Sequence, residues 1–156
     1  MKVSIVIPNY NGEHLLQKNL PQVRQIPGIN EIVVVDDGST DGSVEFIEKH
    51  YPGIKLIEKV TNSGFATSVN LGFKAATGDV VILLNTDVVP HQDFLVPLLS
   101  HFADLQVFGV GCLDLSFEGK NLIKRGRGIG RFERGFLVHA RGEVDKTNTL
   151  WASGGS

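Results

Sequence analysis

Residues 31–43 read Glu31-Ile32-Val33-Val34-Val35-Asp36-Asp37-Gly38-Ser39-Thr40-Asp41-Gly42-Ser43. The unbroken Ile/Val run has the composition of a strand covered on both faces, as in parallel sheets flanked by helices. It stops at a cluster of Asp, Gly, Ser and Thr, residues that suit turns. Thr40 or Asp41 is placed to cap a helix over 42–51, which carries Val44, Ile47 and Tyr51 on one side. A buried strand, a polar turn and a helix make one unit of an α/β sheet.

The same alternation extends outward. Residues 2–7 predict a strand that Pro8 stops, 55–58 a weaker one, 80–84 another fully buried one, and 106–113 a fifth. Helical patterns lie between them. Residues 13–25 place Leu15, Leu16, Leu20 and Val23 on one side, with Pro21 expected to kink or end the helix. Residues 63–77 place Phe65, Val69 and Phe73 in a stripe expected to face the core, with Gly78 as C-cap. Residues 91–102 repeat that spacing with Phe94, Leu98 and Phe102, interrupted by Pro97. The expected fold is α/β, an open, mostly parallel sheet with helices on both faces. Ligands of such sheets sit beyond the carboxyl ends of the strands.

Composition agrees with a globular chain. Its 156 residues are 42% hydrophobic and 21% charged, and the net charge of −2 gives no reason to expect nucleic acid. Cys112, the one cysteine, excludes an internal disulfide and reads as a small hydrophobe in an apolar strand. The apolar runs fall far short of the ~20 residues a membrane helix needs, and the first residues lack a signal-peptide pattern. The expectation is a cytoplasmic chain without a transmembrane segment, free or at the inner face of the membrane.

Three strand ends deliver polar groups to one edge: Pro8-Asn9-Tyr10-Asn11-Gly12, then Asp36 to Ser43, then Asn85-Thr86-Asp87. Asp37 can accept a hydrogen bond from a base N–H or a ribose hydroxyl. Tyr10 can stack on a flat base. Asp87 stands where Mg²⁺ or Mn²⁺ could bridge it to a diphosphate, since both ions favour carboxylate and phosphate oxygens. Each element alone reads more readily as a turn or a helix cap; only together do they point to a ligand site.

The ordered motifs resemble the family 2 glycosyltransferases, which have the GT-A nucleotide-sugar-binding fold. The resemblance is carried by residues 3–11 and 32–43, and by Asn62-Ser63-Gly64-Phe65-Ala66, Asn70-Leu71-Gly72, Ala76-Thr77-Gly78-Asp79 and Leu83-Leu84-Asn85-Thr86-Asp87. Trp151-Ala152-Ser153-Gly154-Gly155 is similar to the segment before the family's acceptor-side catalytic element. The resemblance implies that Pro8, Tyr10 and Asp37 hold the base and ribose, and that Asn62, Gly64 and Asn70 lie near the nucleotide and diphosphate. It implies that Asn85-Thr86-Asp87 is the Asp-x-Asp element, with Asp87 as metal ligand. Asn85 departs from that pattern; its amide can bond a sugar or ribose hydroxyl but adds no charge.

The implied reaction moves a sugar from a nucleoside diphosphate sugar, such as a UDP-sugar, to a hydroxyl acceptor with inversion. Many relatives do this in building cell-surface polysaccharide. The family's base, a carboxylate after the Trp segment, has no match among these residues; Glu143 and Asp145 precede Trp151 and do not correspond to it. It is expected beyond Ser156. Residues 1–115 are read as the nucleotide-sugar part of a single domain, and 116–156 as an incomplete start of the acceptor side.

Two other readings compete. A sugar nucleotidyltransferase would carry a Gly-rich basic loop where Asn9-Tyr10-Asn11-Gly12 stands. A nucleotide-binding module without catalysis is the second. Lys120, Lys124, Arg125, Arg127, Arg131, Arg134 and Arg141 form a basic run that reads as solvated loops or as an attraction for a phosphorylated or lipid-linked acceptor. The glycines at 126, 128 and 130 do not sit between a strand and a helix and are no dinucleotide motif. The five histidines are scattered without ligand spacing. The base, sugar, acceptor and oligomeric state are not written in these motifs.

Overall fold

The computed structural model describes residues 1–142, 144 and 149. Glu143, Asp145 and the Trp151 segment lie outside the described residues. The chain divides into two compact units, Met1–Leu95 and Val96–Ser156.

The first unit holds four strands, β1 (Val3–Asn9), β2 (Glu31–Asp36), β3 (Lys55–Glu58) and β4 (Val80–Leu83). They are parallel in the order β3-β2-β1-β4. Three helices connect them: α1 (Glu13–Arg24), α2 (Ser43–His50) and α3 (Phe65–Ala75). Register sorts the side chains by face, because successive residues of a strand point to opposite sides. Val6, Val33 and Val35 form one face with Ile57, and α3 packs there through Leu71 and Ala75. Ile7, Val34 and Leu56 align on the other. Leu16, Leu20 and Val23 of α1 gather beside Ile7, and Ile47 of α2 beside Leu56. Both faces are covered, so the central strands are rich in Ile and Val.

Several expectations need correction. Pro8 does not stop β1, which runs on to Asn9. The Val6 carbonyl accepts from Leu84 N–H on the β4 side, and the Asn9 carbonyl from Asp37 N–H on the β2 side. By alternation the missing N–H of Pro8 faces β4, whose pairing has already ended at Leu83, so no ladder bond is lost. Pro21 lies inside α1, which continues to Arg24.

The stripe of α3 is also corrected. Phe65 is 56% exposed and Phe73 43%, whereas Ser68 and Gly72 are buried. The helix lies so close to the sheet that a Cβ on Gly72 would come within 2.3 Å of Val6 Cγ1. Ser68 and Gly72, with Leu71 and Ala75 beside them, mark its inner face. Gly78 is not the helix cap, since α3 ends at Ala75 with Ala76 as C-cap. Its N–H donates to Ser4 Oγ at 2.9 Å, and a Cβ there would strike β1.

The short helix α4 (Leu95–Ser100) starts at the last residue of the first unit, and a 3₁₀ turn, His101–Ala103, follows it. The helix is shorter than expected, and Leu95 and Leu98 are its buried positions. Residues 106–113 are not a strand and Cys112 is exposed, against the expectation of a fifth strand with a buried cysteine. The strands that follow are two antiparallel hairpins, β5 (Asp114–Glu118) with β6 (Asn121–Arg125), and β7 (Gly128–Glu133) with β8 (Phe136–Arg141). Gly119 and Gly135 supply the positive φ of their turns. Among the described residues no helix is long and apolar enough to cross a membrane.

Candidate functional site

The carboxyl ends of β1, β2 and β4 are neighbours on one edge of the Met1–Leu95 sheet. Parallel strands lie about 4.8 Å apart, so the outer two of these ends are separated by roughly 10 Å. Asp36 and Asp37 end β2. Asp36 is fully buried and turned inward: Oδ1 accepts from Asn9 Nδ2 at 2.8 Å and Ser39 Oγ at 2.6 Å, and Oδ2 from Ser39 N–H at 2.8 Å. It holds the turn to β1.

Two more bridges tie these loops. Asn11 N–H donates to Ser39 Oγ at 2.9 Å and Thr40 N–H donates to Asn11 Oδ1 at 2.8 Å. Glu13 N–H donates to Asp41 Oδ2 at 2.9 Å, while Gly42 N–H donates to Glu13 Oε2 at 3.2 Å. The starts of α1 and α2 thus cap each other. Asp41 also accepts Ser43 N–H at 3.0 Å, so it serves the start of α2 as expected, from one residue before Gly42. Burial alone would raise the Asp41 carboxyl, but the bonds from Ser43 and Glu13 hold it below the usual carboxylate range.

Asp37 faces a different loop. It is 4% exposed, and its Oδ1 accepts Ser63 N–H and its Oδ2 Gly64 N–H, each at 2.9 Å. The Lys59 ammonium pairs with Oδ1. Burial pushes the carboxyl up, and Lys59 with the two amides outweighs that and holds it below the usual range. A carboxylate offers about four lone-pair sites; three are engaged here, which leaves one on Oδ2. Gly38 makes the turn possible: its φ is 72°, and a Cβ would lie 2.8 Å from the Thr61 carbonyl carbon.

The remaining residues lie around this frame. Tyr10 is 53% exposed between the tethered Asn9 and Asn11, with its ring available to stack. Asn62 and Gly64 are exposed; Gly64 N–H also bonds Asn62 Oδ1 at 3.0 Å, and Gly64 has φ 90°. Asn70 is exposed on α3, and Pro8 is half-buried. At the end of β4, Asn19 Nδ2 of α1 donates to the Thr86 carbonyl at 2.8 Å, fixing the backbone of the Asn85-Thr86-Asp87 turn. Asn85 and Thr86 are half-buried and Asp87 is exposed. Every residue singled out for the donor site is therefore in the first unit, and all but Asn70 follow or end a strand. The sequence reading missed Lys59, Ser63 and Ser68. A lone lysine after an edge strand carries no pattern to find it by.

Among the described residues no three His, Cys, Asp or Glu side chains gather to hold a cation. A divalent ion here would depend on one carboxylate and on the ligand's own phosphates, which is how Mg²⁺ and Mn²⁺ are often held. Asp87, exposed and without a hydrogen-bond or ion-pair partner among the described residues, fits that part.

The profile of Glycosyl transferase family 2 matches residues 4–152. The dolichol-phosphate mannosyltransferase of Pyrococcus furiosus is 36% identical over 104 residues, 64% of this chain and 29% of that protein. The undecaprenyl-phosphate 4-deoxy-4-formamido-L-arabinose transferase of Pectobacterium carotovorum is 40% identical over 113 residues, 65% of this chain and 33% of that protein. Among solved structures, the mannosyltransferase PcManGT from Pyrobaculum calidifontis, in complex with GDP-Man and Mn²⁺, aligns with a TM-score of 0.63 at 29% identity. That alignment covers 71% of this chain and 35% of the other. S. aureus TarS 1-349 in complex with UDP-GlcNAc aligns at 0.59 with 28% identity, over 66% and 31%. The chain spans about a third of the length of the curated relatives it matches.

Proposed function

Because the chain belongs to glycosyl transferase family 2 and has the GT-A fold, we propose that the edge carrying Tyr10, Asp37 and Asp87 binds a nucleoside diphosphate sugar. In this reading Tyr10 stacks on the base, and Pro8 and the remaining lone pair of Asp37 Oδ2 line the base and ribose. Asn62, Gly64 and Asn70 border the diphosphate, and Asn85 and Thr86 offer polar groups to the ribose or sugar. Asp87 holds Mg²⁺ or Mn²⁺, which when bound neutralises charge on the leaving diphosphate. The observation that carries the reading is the shared edge: three parallel strands end side by side, and the loops after β1 and β2 are bonded to each other.

The whole protein's reaction, in the same reading, is sugar transfer with inversion. Residues 1–115 serve the donor and 116–156 begin the acceptor side. The printed names of two relatives include a polyprenol phosphate, and the hairpins carry Lys120, Lys124, Arg131 and Arg134. Both favour a lipid-linked phosphate as acceptor, met at a membrane face, because clustered cations attract phosphate.

The test is a melting curve with UDP and with GDP, each with and without Mn²⁺. A ligand that binds only the folded state stabilises it, by about 2.7 kcal/mol at a hundredfold excess over Kd, a rise of several degrees for a chain this size. A rise with one nucleotide, larger with Mn²⁺, is expected. No rise with either, with or without metal, removes the donor site.

A further inference from the structure

Lys59 follows β3, and its side chain is only 14% exposed. A lysine at a sheet edge ordinarily lays its stem on the protein and keeps its head in water. This one turns its head inward, onto protein acceptors. An ammonium has three protons to donate, and Nζ meets three acceptors: Asp37 Oδ1, Ser63 Oγ, and Ser68 Oγ at 3.1 Å. Those acceptors come from the turn after β2, the loop before α3, and α3 itself. Ser68 is fully buried, so the third bond fixes the ammonium to the helix. Lys59 is the charged group against Asp37, since Asp36 turns away to Asn9 and Ser39. The arrangement satisfies every donor of a largely covered cation, the condition under which removing a charge from water is tolerated.

We propose that Lys59 is a positioning residue of the donor site: it fixes Asp37 as an ionised acceptor and pins the Ser63–Gly64 loop, so that a nucleotide meets a preformed wall. The proposal rests on the donor-site reading above. Without the ammonium, Asp37 keeps only two amide donors in a buried place. Its carboxyl rises, and once protonated it no longer suits the two N–H groups that aim at it. The loop then loses its anchor. A purely structural staple would lower stability and leave the pH dependence of ligand affinity where it was.

The experiment measures the affinity of the full chain for UDP and GDP with Mn²⁺, by calorimetry between about pH 5 and pH 8, in the wild type, Lys59→Met, Lys59→Arg and Ser68→Ala. Lys59→Met is expected to lose roughly tenfold or more near neutral pH, the scale of removing one member of a buried pair. Its acid limb should move to higher pH, since affinity that needs ionised Asp37 fails as pH falls through the raised value. Lys59→Arg, which keeps the charge, should return the limb toward the wild type. Ser68→Ala, which keeps the ion pair, should cost only a few-fold. Should Lys59→Met not fold, Ser68→Ala carries the comparison, and wild-type affinity in Ser68→Ala would overturn the role. Identical affinity and acid limb in folded Lys59→Met overturns it too and leaves the donor site standing. A wild-type chain that binds neither nucleotide overturns both.

Discussion

Asp36 and Asp37 stand next to each other and look into different surroundings. Asp36 is spent on Asn9 and Ser39, bonds that join two loops. Asp37 is turned to Lys59, Ser63 and Gly64. A strand's alternation separates them, so the pair could be divided into a structural and a site carboxylate only once the neighbours were known. Asp87 presents the opposite case, an exposed carboxylate at a fixed turn. Asp87→Ala should reduce nucleotide affinity in Mn²⁺ by about tenfold or more, the size of losing a charge-assisted contact, and leave affinity in a chelator unchanged. Titration of both proteins with and without Mn²⁺ measures this. Equal affinity of the two in Mn²⁺ would refute the metal role.

At the scale of elements, β1 and β2 were legible because buried strands read as Ile/Val runs; β3 fell where expected, and β4 formed where expected but lies half-buried at the sheet edge rather than fully buried. Their ends were legible because turn residues mark them, which is why the proposed donor residues fall on one edge. What escaped the sequence has physical causes. The stripe Phe65, Val69, Phe73 has helical spacing, but the helix packs through the face of Ser68, Leu71, Gly72 and Ala75, whose two most buried members are too small to give a hydrophobic signal. Pro8 breaks a strand only where its N–H is needed. The apolar segment near Cys112 has strand composition yet forms none, and the clasp of Lys59 joins residues from separate elements. The face assignment of α3 is testable: Gly72→Val should destabilise by about 1–3 kcal/mol or more through overpacking against Val6. Phe73→Ala should cost about 1 kcal/mol or less, as for a surface change. Urea unfolding of both variants gives the ranking, and a larger loss for Phe73→Ala would reverse the assignment.

On the scale of the whole molecule, the first unit carries the proposed donor residues and the second carries exposed basic hairpins. The account depends on a single property of the first unit: β1, β2 and β4 end together, so Tyr10, Asp37 and Asp87 can touch one ligand. Paramagnetic broadening reads that directly, because Mn²⁺ erases the amide signals of residues near it. The measurement is an ¹⁵N spectrum of the chain with nucleoside diphosphate, before and after substoichiometric Mn²⁺. The account predicts loss of signal at 85–88, with weaker loss at 10–11 and 62–64, dependent on the nucleotide. Broadening centred elsewhere, or the same with and without nucleotide, would contradict it.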